Sequence, residues 1–96
     1  MSDVKDLTQE EKERNWVERY TNGIKKGIWT FSDVGARDWK EQIKNTLMKE
    51  IELGEANHTT IRAVCDYFLD QIDRKRITID DVPDSMKEMV KERLGL

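Results

Sequence analysis

The sequence predicts a single small all-α domain, a four-helix array built from two helix–capped turn–helix units. Three observations support this fold class. Apolar residues recur at helical spacing over most of the chain. Capping residues and helix breakers separate the helical segments. The separating stretch Trp29-Thr30-Phe31-Ser32-Asp33-Val34-Gly35 also has a copy, Ile77-Thr78-Ile79-Asp80-Asp81-Val82-Pro83, which indicates a repeated joint between helices.

Length and composition limit the chain to one domain and disfavour several function classes. Ninety-six residues suit one core of modest size. A net charge of -3, with acids and bases interspersed, argues against a general nucleic-acid or membrane binder. A single cysteine excludes an internal disulfide framework. There is no apolar signal core and no apolar run that could cross a bilayer, so we expect a cytoplasmic protein with no membrane contact.

The first helix is expected to run from Thr8 to about Lys26, after a flexible N-terminus at residues 1–7. Thr8 and Glu11 have the spacing of a capping box, in which each side chain accepts from the other's backbone amide. Gly27 is expected to end this helix. The apolar face of this helix comprises Trp16, Val17, Tyr20 and Ile24.

The first joint is predicted to be a short helical turn that begins at Thr30. Thr30 and Asp33 again have capping-box spacing, and Gly35 breaks the turn. A strand is the competing interpretation, because the residues from Ile28 to Phe31 are good strand formers. Such a strand would have only residues 77–79 as a partner.

Three further helices follow. The second is expected from about Ala36 to Leu53, with an apolar residue at every fourth position from Trp39. The third can be capped by Asn57, Thr59 or Thr60, and its wide apolar stripe is typical of a central core helix. That stripe comprises Ile61, Val64, Cys65, Phe68, Leu69 and Ile72. The last helix is expected from Pro83 or Asp84 to Arg93, with Gly95 just beyond its end.

An internal repeat becomes visible when the chain is shifted by about 48 residues. Ile24 then falls on Ile72, and Val34 falls on Val82. We predict that residues 8–96 form one domain with repeat units at about 8–53 and 57–96, which share a core because neither has enough apolar surface alone. Chance similarity between amphipathic helices is the alternative.

The first joint also carries a resemblance to a known family. The stretch from Gly27 to Val34, preceded by Tyr20, resembles the N-terminal half of short XkdX-like proteins from prophages of Gram-positive bacteria. The stretch from Lys75 to Pro83 is of a type common in small phage and mobile-element proteins. This chain is longer and departs from the XkdX-like C-terminal motif. The resemblance implies a phage-encoded accessory protein, and it supplies no catalytic residues.

The residues suited to catalysis or metal binding do not form a recognisable motif. His58, the only histidine, lies in a predicted polar loop, and its spacing from Cys65 fits no metal-ligand pattern. Cys65 lies on an apolar stripe, as a core residue would. The acidic residues near Asp81 lack the spacing of a calcium loop. We therefore predict no catalytic, cofactor-binding or metal-binding residues and a protein that is not an enzyme.

Two groups of residues are candidates for partner binding. Trp29 and Phe31 are large aromatics in a capped turn, which suits a binding anchor, although they could equally plug the core between the two units. If Trp16, Trp39 and Phe68 already fill the core, one aromatic residue is left for a partner or for a homodimer. The second group is basic and occupies equivalent repeat positions, either as one patch or as two completed helix ends. It comprises Lys25, Lys26, Arg74, Lys75 and Arg76.

These patterns favour a small non-enzymatic accessory or adaptor protein, of phage type, that binds and modulates a larger protein or associates with itself. The alternative is a small helix-turn-helix DNA-binding regulator. Its recognition helix would be the segment from Ala36 to Ile51 or the segment from Asp84 to Arg93. Acidic residues lie on the polar faces of both segments and would repel phosphates.

Overall fold

The computed structural model describes residues 9–96, and the all-α fold predicted from the sequence is confirmed. In this part of the chain there are four α-helices and no strand. The helices are α1 (Gln9–Lys26), α2 (Arg37–Glu52), α3 (His58–Asp73) and α4 (Asp84–Leu94). The predicted flexible segment 1–7 and the predicted Thr8 cap lie outside the described residues.

Each predicted repeat unit contains one short 3₁₀ turn, which connects its two helices. The first joint is Phe31–Asp33, between α1 and α2, and the second joint is Ile79–Asp81, between α3 and α4. The strand interpretation of residues 28–31 is therefore wrong. Val34 and Val82 follow the two joints and are almost completely buried, so each joint is anchored to the core by the valine of the repeated motif.

The two joints have the same cap geometry. At the first joint, the backbone amide and the hydroxyl of Thr30 donate to Asp33 Oδ2 over 2.7 and 3.1 Å. At the second, the amide and hydroxyl of Thr78 donate to Asp81 Oδ2 over 2.9 and 3.2 Å. In both, the amide of the aspartate donates back to the threonine carbonyl over 3.0 Å. The threonine and aspartate shared by the two copies thus form the turn itself, as their spacing predicted.

The helix α3 lies at the centre of the core, as its wide apolar stripe predicted. It packs against α1, α2 and α4. Its side chains Val64, Cys65 and Phe68 are buried, together with Tyr67, which was not in the predicted stripe. The core side chains from the other elements include Ile24, Ile43, Leu47, Met86 and Val90.

The cap of α3 also joins the two repeat units. Asn57 is the cap residue, and its side-chain oxygen accepts from the Thr60 amide over 2.7 Å. Its side-chain nitrogen donates to the Lys25 carbonyl over 3.1 Å, which connects the end of α1 to the start of α3. His58 lies in the first turn of α3 and not in a loop, so its predicted position was wrong.

Trp16 and Trp39, which the sequence offered as candidates to fill the core, are not among its buried side chains. Trp16 is 47% exposed, and Trp39 is only partly buried. Phe31 and Tyr67 supply the buried aromatic rings beside Phe68 instead. Sequence periodicity placed Trp16 on the apolar face of α1, but it lies at the edge of that face, where the helix has begun to leave the core.

Candidate partner-binding surface

Trp29 is held in place by a glycine one turn before the end of α1. The amides of Ile28 and Trp29 both donate to the Gly23 carbonyl, over 2.8 and 3.2 Å. The Trp29 indole then lies directly over Gly23: a Cβ atom at position 23 would be 1.7 Å from its Cδ1. Trp29 nevertheless remains 43% exposed. Gly23 is thus a seat for a tryptophan that is presented at the surface.

The three tryptophans of the chain meet around one tyrosine and form a surface cluster. This aromatic cluster comprises Trp16, Tyr20, Trp29 and Trp39. The Tyr20 ring centroid lies 6.0 Å from that of Trp16, 5.4 Å from that of Trp29 in an edge-on contact, and 6.2 Å from that of Trp39. The Arg19 guanidinium lies 5.2 Å from the centre of the Trp16 ring. Exposed aromatic surface of this kind is typical of binding sites.

Beyond Trp29 lies an open groove of about 420 Å³, bounded by the first joint and α3. We call it the α3 groove. It follows one face of α3 from Thr59 to Arg74, which is about 22 Å along a helix axis. Trp29 and Phe31 line its other side, so Trp29 belongs both to the aromatic cluster and to the groove.

The base of the α3 groove is a rigid aromatic pair. Phe31 stacks on Tyr67, with ring centroids 4.6 Å apart and planes 24° apart. The Tyr67 hydroxyl donates to the Glu41 carboxylate on α2. Burial raises the pKa of Tyr67, and the bond to Glu41 raises it further. Burial also acts to raise the pKa of Glu41, but hydrogen bonds from Tyr67 and Lys44 outweigh it and hold that pKa below its usual value. At neutral pH the pair is therefore a neutral phenol bonded to a charged carboxylate.

Some charged side chains along the α3 groove are in ion pairs, and others are not. Arg93 Nη2 lies 3.0 Å from Asp66, and Arg74 Nε lies 3.0 Å from Asp70. Lys40 and Arg62 also line the groove, and neither has an ion-pair partner among residues 9–96. The charge left available to a ligand is therefore positive.

The structure separates the basic residues that the sequence placed at equivalent positions. Lys25 pairs with Glu50 over 2.9 Å, and both Lys25 and Lys26 lie at the end of α1, beside the start of α3. The residues Arg74, Lys75 and Arg76 lie at the other end of α3. The two groups therefore do not form one patch, and of the five residues only Arg74 lines the groove.

Sequence reasoning placed Trp29 and Phe31 in the site but found only Arg74 on its α3 side. Phe31 is buried, with 6% exposure, whereas Trp29 is presented to solvent. The charged side of α3 could have been found, because Arg62, Asp66 and Asp70 recur every four residues on one face of the helix. Lys40 was noted only as a cation of a candidate recognition helix, since its place in the groove depends on how α2 leaves the first joint.

The cysteine of the chain, Cys65, lies in the core and lines neither the aromatic cluster nor the α3 groove. Burial raises the pKa of the Cys65 thiol, which keeps it protonated within the core. Residues 9–96 contain no cluster of three or more His, Cys, Asp or Glu side chains placed to hold a metal ion.

None of the helices in this range is long and apolar enough to cross a bilayer. Comparisons with protein-family models, with curated proteins and with solved structures gave no match.

Proposed function

We propose that this protein is a non-enzymatic adaptor of the cytoplasm that binds a larger protein through the aromatic cluster and the α3 groove. The observation that carries the proposal is Trp29, which is seated on Gly23 yet 43% exposed, and which lies in both features. Large aromatic side chains held rigidly at a surface are the residues that contribute most to protein interfaces. The resemblance to XkdX-like prophage proteins is compatible with such a role, and we keep phage origin as part of the proposal.

Three of the seven cations on the candidate recognition helices are held in ion pairs, which gives less support to a DNA-binding regulator. Lys44 pairs with Glu41, Lys87 lies 3.7 Å from Asp84, and Arg93 pairs with Asp66. Phosphate binding would have to break these contacts or compete with them.

Quantitative affinity capture from the native host tests the proposal, with the wild-type protein, Trp29→Ala and Leu53→Ala as baits. Leu53 is a matched control because it is an exposed apolar residue outside the cluster and the groove. We expect a protein that is retained by the wild type and by Leu53→Ala but lost from Trp29→Ala. Capture that is the same for all three baits, or retention on nucleic acid that salt abolishes, would contradict it. Sedimentation over a range of concentrations tests whether the retained partner is a second copy of the chain.

A further inference from the structure

The α3 groove combines an apolar side with a positive charge that the chain itself does not neutralise. Its two aspartates, Asp66 and Asp70, each have an arginine at 3.0 Å. Lys40 and Arg62 have no such partner in the described part of the chain. An anion that binds here would therefore meet two cations without an ion-pair partner and two aspartates that are each paired with an arginine.

Arg62 also lines a second cleft, whose other arginine, Arg93, is paired with Asp66. This neighbouring cleft between α3 and α4 is lined by His58, Thr59, Ile61, Arg62, Met89 and Arg93. Thr59 and Arg62 lie on the ridge that the two cavities share. The large apolar side chains Trp29 and Phe31 come from the segment between α1 and α2. A ligand that fits both features has an apolar part toward Trp29 and Phe31 and negative charge toward Lys40 on α2 and Arg62 on α3.

We propose that the α3 groove binds an acidic segment of the partner protein, with an apolar side chain against Trp29 and Phe31 and carboxylates at Lys40 and Arg62. This inference rests on the proposed function and specifies the chemistry of the partner. Carboxylates are favoured over a nucleic-acid backbone for two reasons. In a complex with nucleic acid, the negatively charged Asp66 and Asp70 would lie beside a continuous row of phosphates, which they would repel. In addition, one face of the Phe31 ring is stacked on Tyr67 and cannot receive a base.

The test is selection from a display library of random peptides long enough to span the groove. The baits are the wild-type protein, the charge-reversed variant Lys40→Glu/Arg62→Glu, and the control Lys49→Glu/Lys91→Glu. The control has the same change in net charge, at cations outside the groove. Circular dichroism first establishes that all three are folded. Synthetic versions of the selected peptides are then titrated against each protein.

We expect the wild type and the control to enrich the same peptides, in which Asp or Glu flanks an aromatic or aliphatic residue. Their affinity for Lys40→Glu/Arg62→Glu should fall by about tenfold or more, since two attractive pairs become repulsive. That variant should instead enrich peptides rich in Lys or Arg. Peptides without an acidic preference, no enrichment by the wild type, or equal affinity for all three proteins would overturn the inference.

Two further measurements separate this inference from the proposed function. If selected peptides lose affinity for Trp29→Ala but not for the charge-reversed variant, the surface binds proteins and the acidic specificity is wrong. If they lose affinity for neither, both proposals fail. A single-stranded oligonucleotide is titrated as well: if it displaces the peptides and its own affinity depends on Lys40 and Arg62, the ligand is a nucleic acid and the inference is wrong.

Discussion

Replacement of Gly23 by alanine has two opposing effects on stability. It raises the helix propensity of α1, and it displaces Trp29 from its contact with Gly23. Gly23 lies inside α1, where alanine is normally the more stable residue. Its added Cβ, however, would be 1.7 Å from Cδ1, 2.6 Å from Nε1 and 2.8 Å from Cγ of the Trp29 indole. No atom pair tolerates such distances, so the indole has to leave its seat. We therefore expect Gly23→Ala to destabilise the protein, against the usual trend.

The size of the effect follows from two opposing contributions. Alanine in place of glycine favours the helix by about 0.8–1 kcal/mol. Displacement of Trp29 removes its edge contact with Tyr20, typically about 0.5–1.5 kcal/mol. It also exposes roughly half of the 150–250 Å² that an aromatic side chain buries, or about 2–3 kcal/mol at about 25 cal/mol per Å². The displaced ring recovers part of this by packing elsewhere, so we expect a net loss of about 1–2 kcal/mol.

Urea unfolding of four proteins measures this directly: the wild type, Gly23→Ala, Trp29→Ala and the double variant. Once Trp29 is absent, the three atoms nearest to the new methyl group are gone, and Gly23→Ala should stabilise the protein by about 0.8–1 kcal/mol. The sign of the substitution is thus expected to depend on the residue at position 29. If Gly23→Ala has the same effect in both backgrounds, Trp29 does not lie on Gly23 and the surface has been described incorrectly.

Four other substitutions test the joints, the core and the Tyr67–Glu41 pair. Asp33→Ala and Asp81→Ala should each cost about 1 kcal/mol in urea unfolding, because each removes a cap of the same geometry; a loss at one joint only would show that the two joints are not energetically equivalent. Thr60→Val should raise the free energy of unfolding by about 1 kcal/mol, since the buried hydroxyl of Thr60 has no hydrogen-bond partner among residues 9–96. If the substitution destabilises the protein instead, the hydroxyl does have a partner. The pKa of Glu41 is lowered in the folded protein, so its contribution is present above the unfolded-state pKa and is lost as the pH falls through the folded-state pKa. Glu41→Gln should therefore lose less stability than the wild type between pH ~7 and ~3, and equal slopes in unfolding experiments would contradict this.

The helices and joints could be predicted because their determinants are local. The Thr30–Asp33 and Thr78–Asp81 caps need only a spacing of three residues, and each forms as that spacing requires. The stripe of α3 likewise follows from helical geometry alone. Helix ends predicted from breakers were accurate to within about two residues.

The site was less predictable because it depends on which faces of the helices meet. Trp16 and Tyr67 illustrate this. Periodicity assigned Trp16 to the core, although the first turns of α1 extend beyond it and leave the ring 47% exposed. Tyr67 lies at the edge of the α3 stripe. It becomes buried only because Phe31 stacks on its ring and Glu41 accepts a hydrogen bond from its hydroxyl. Both outcomes depend on long-range contacts that hydrophobic spacing does not encode.

The two joints show how a repeated turn can have a binding surface in only one copy. Thr, Asp and Val produce the same cap and the same buried anchor in both. The apolar residues on either side of the threonine differ. In the second joint, Ile77 and Ile79 are both partly buried against the core.

In the first joint, the corresponding pair divides its roles. Phe31 is buried against Tyr67, while Trp29 remains at the surface on Gly23. The buried part of the Trp29 indole contributes to the stability of the fold, whereas its exposed part does not. That exposed part lies at the edge of the α3 groove and is the surface that we propose a partner contacts. The difference between the units therefore lies in side chains that the shared cap positions but does not itself require.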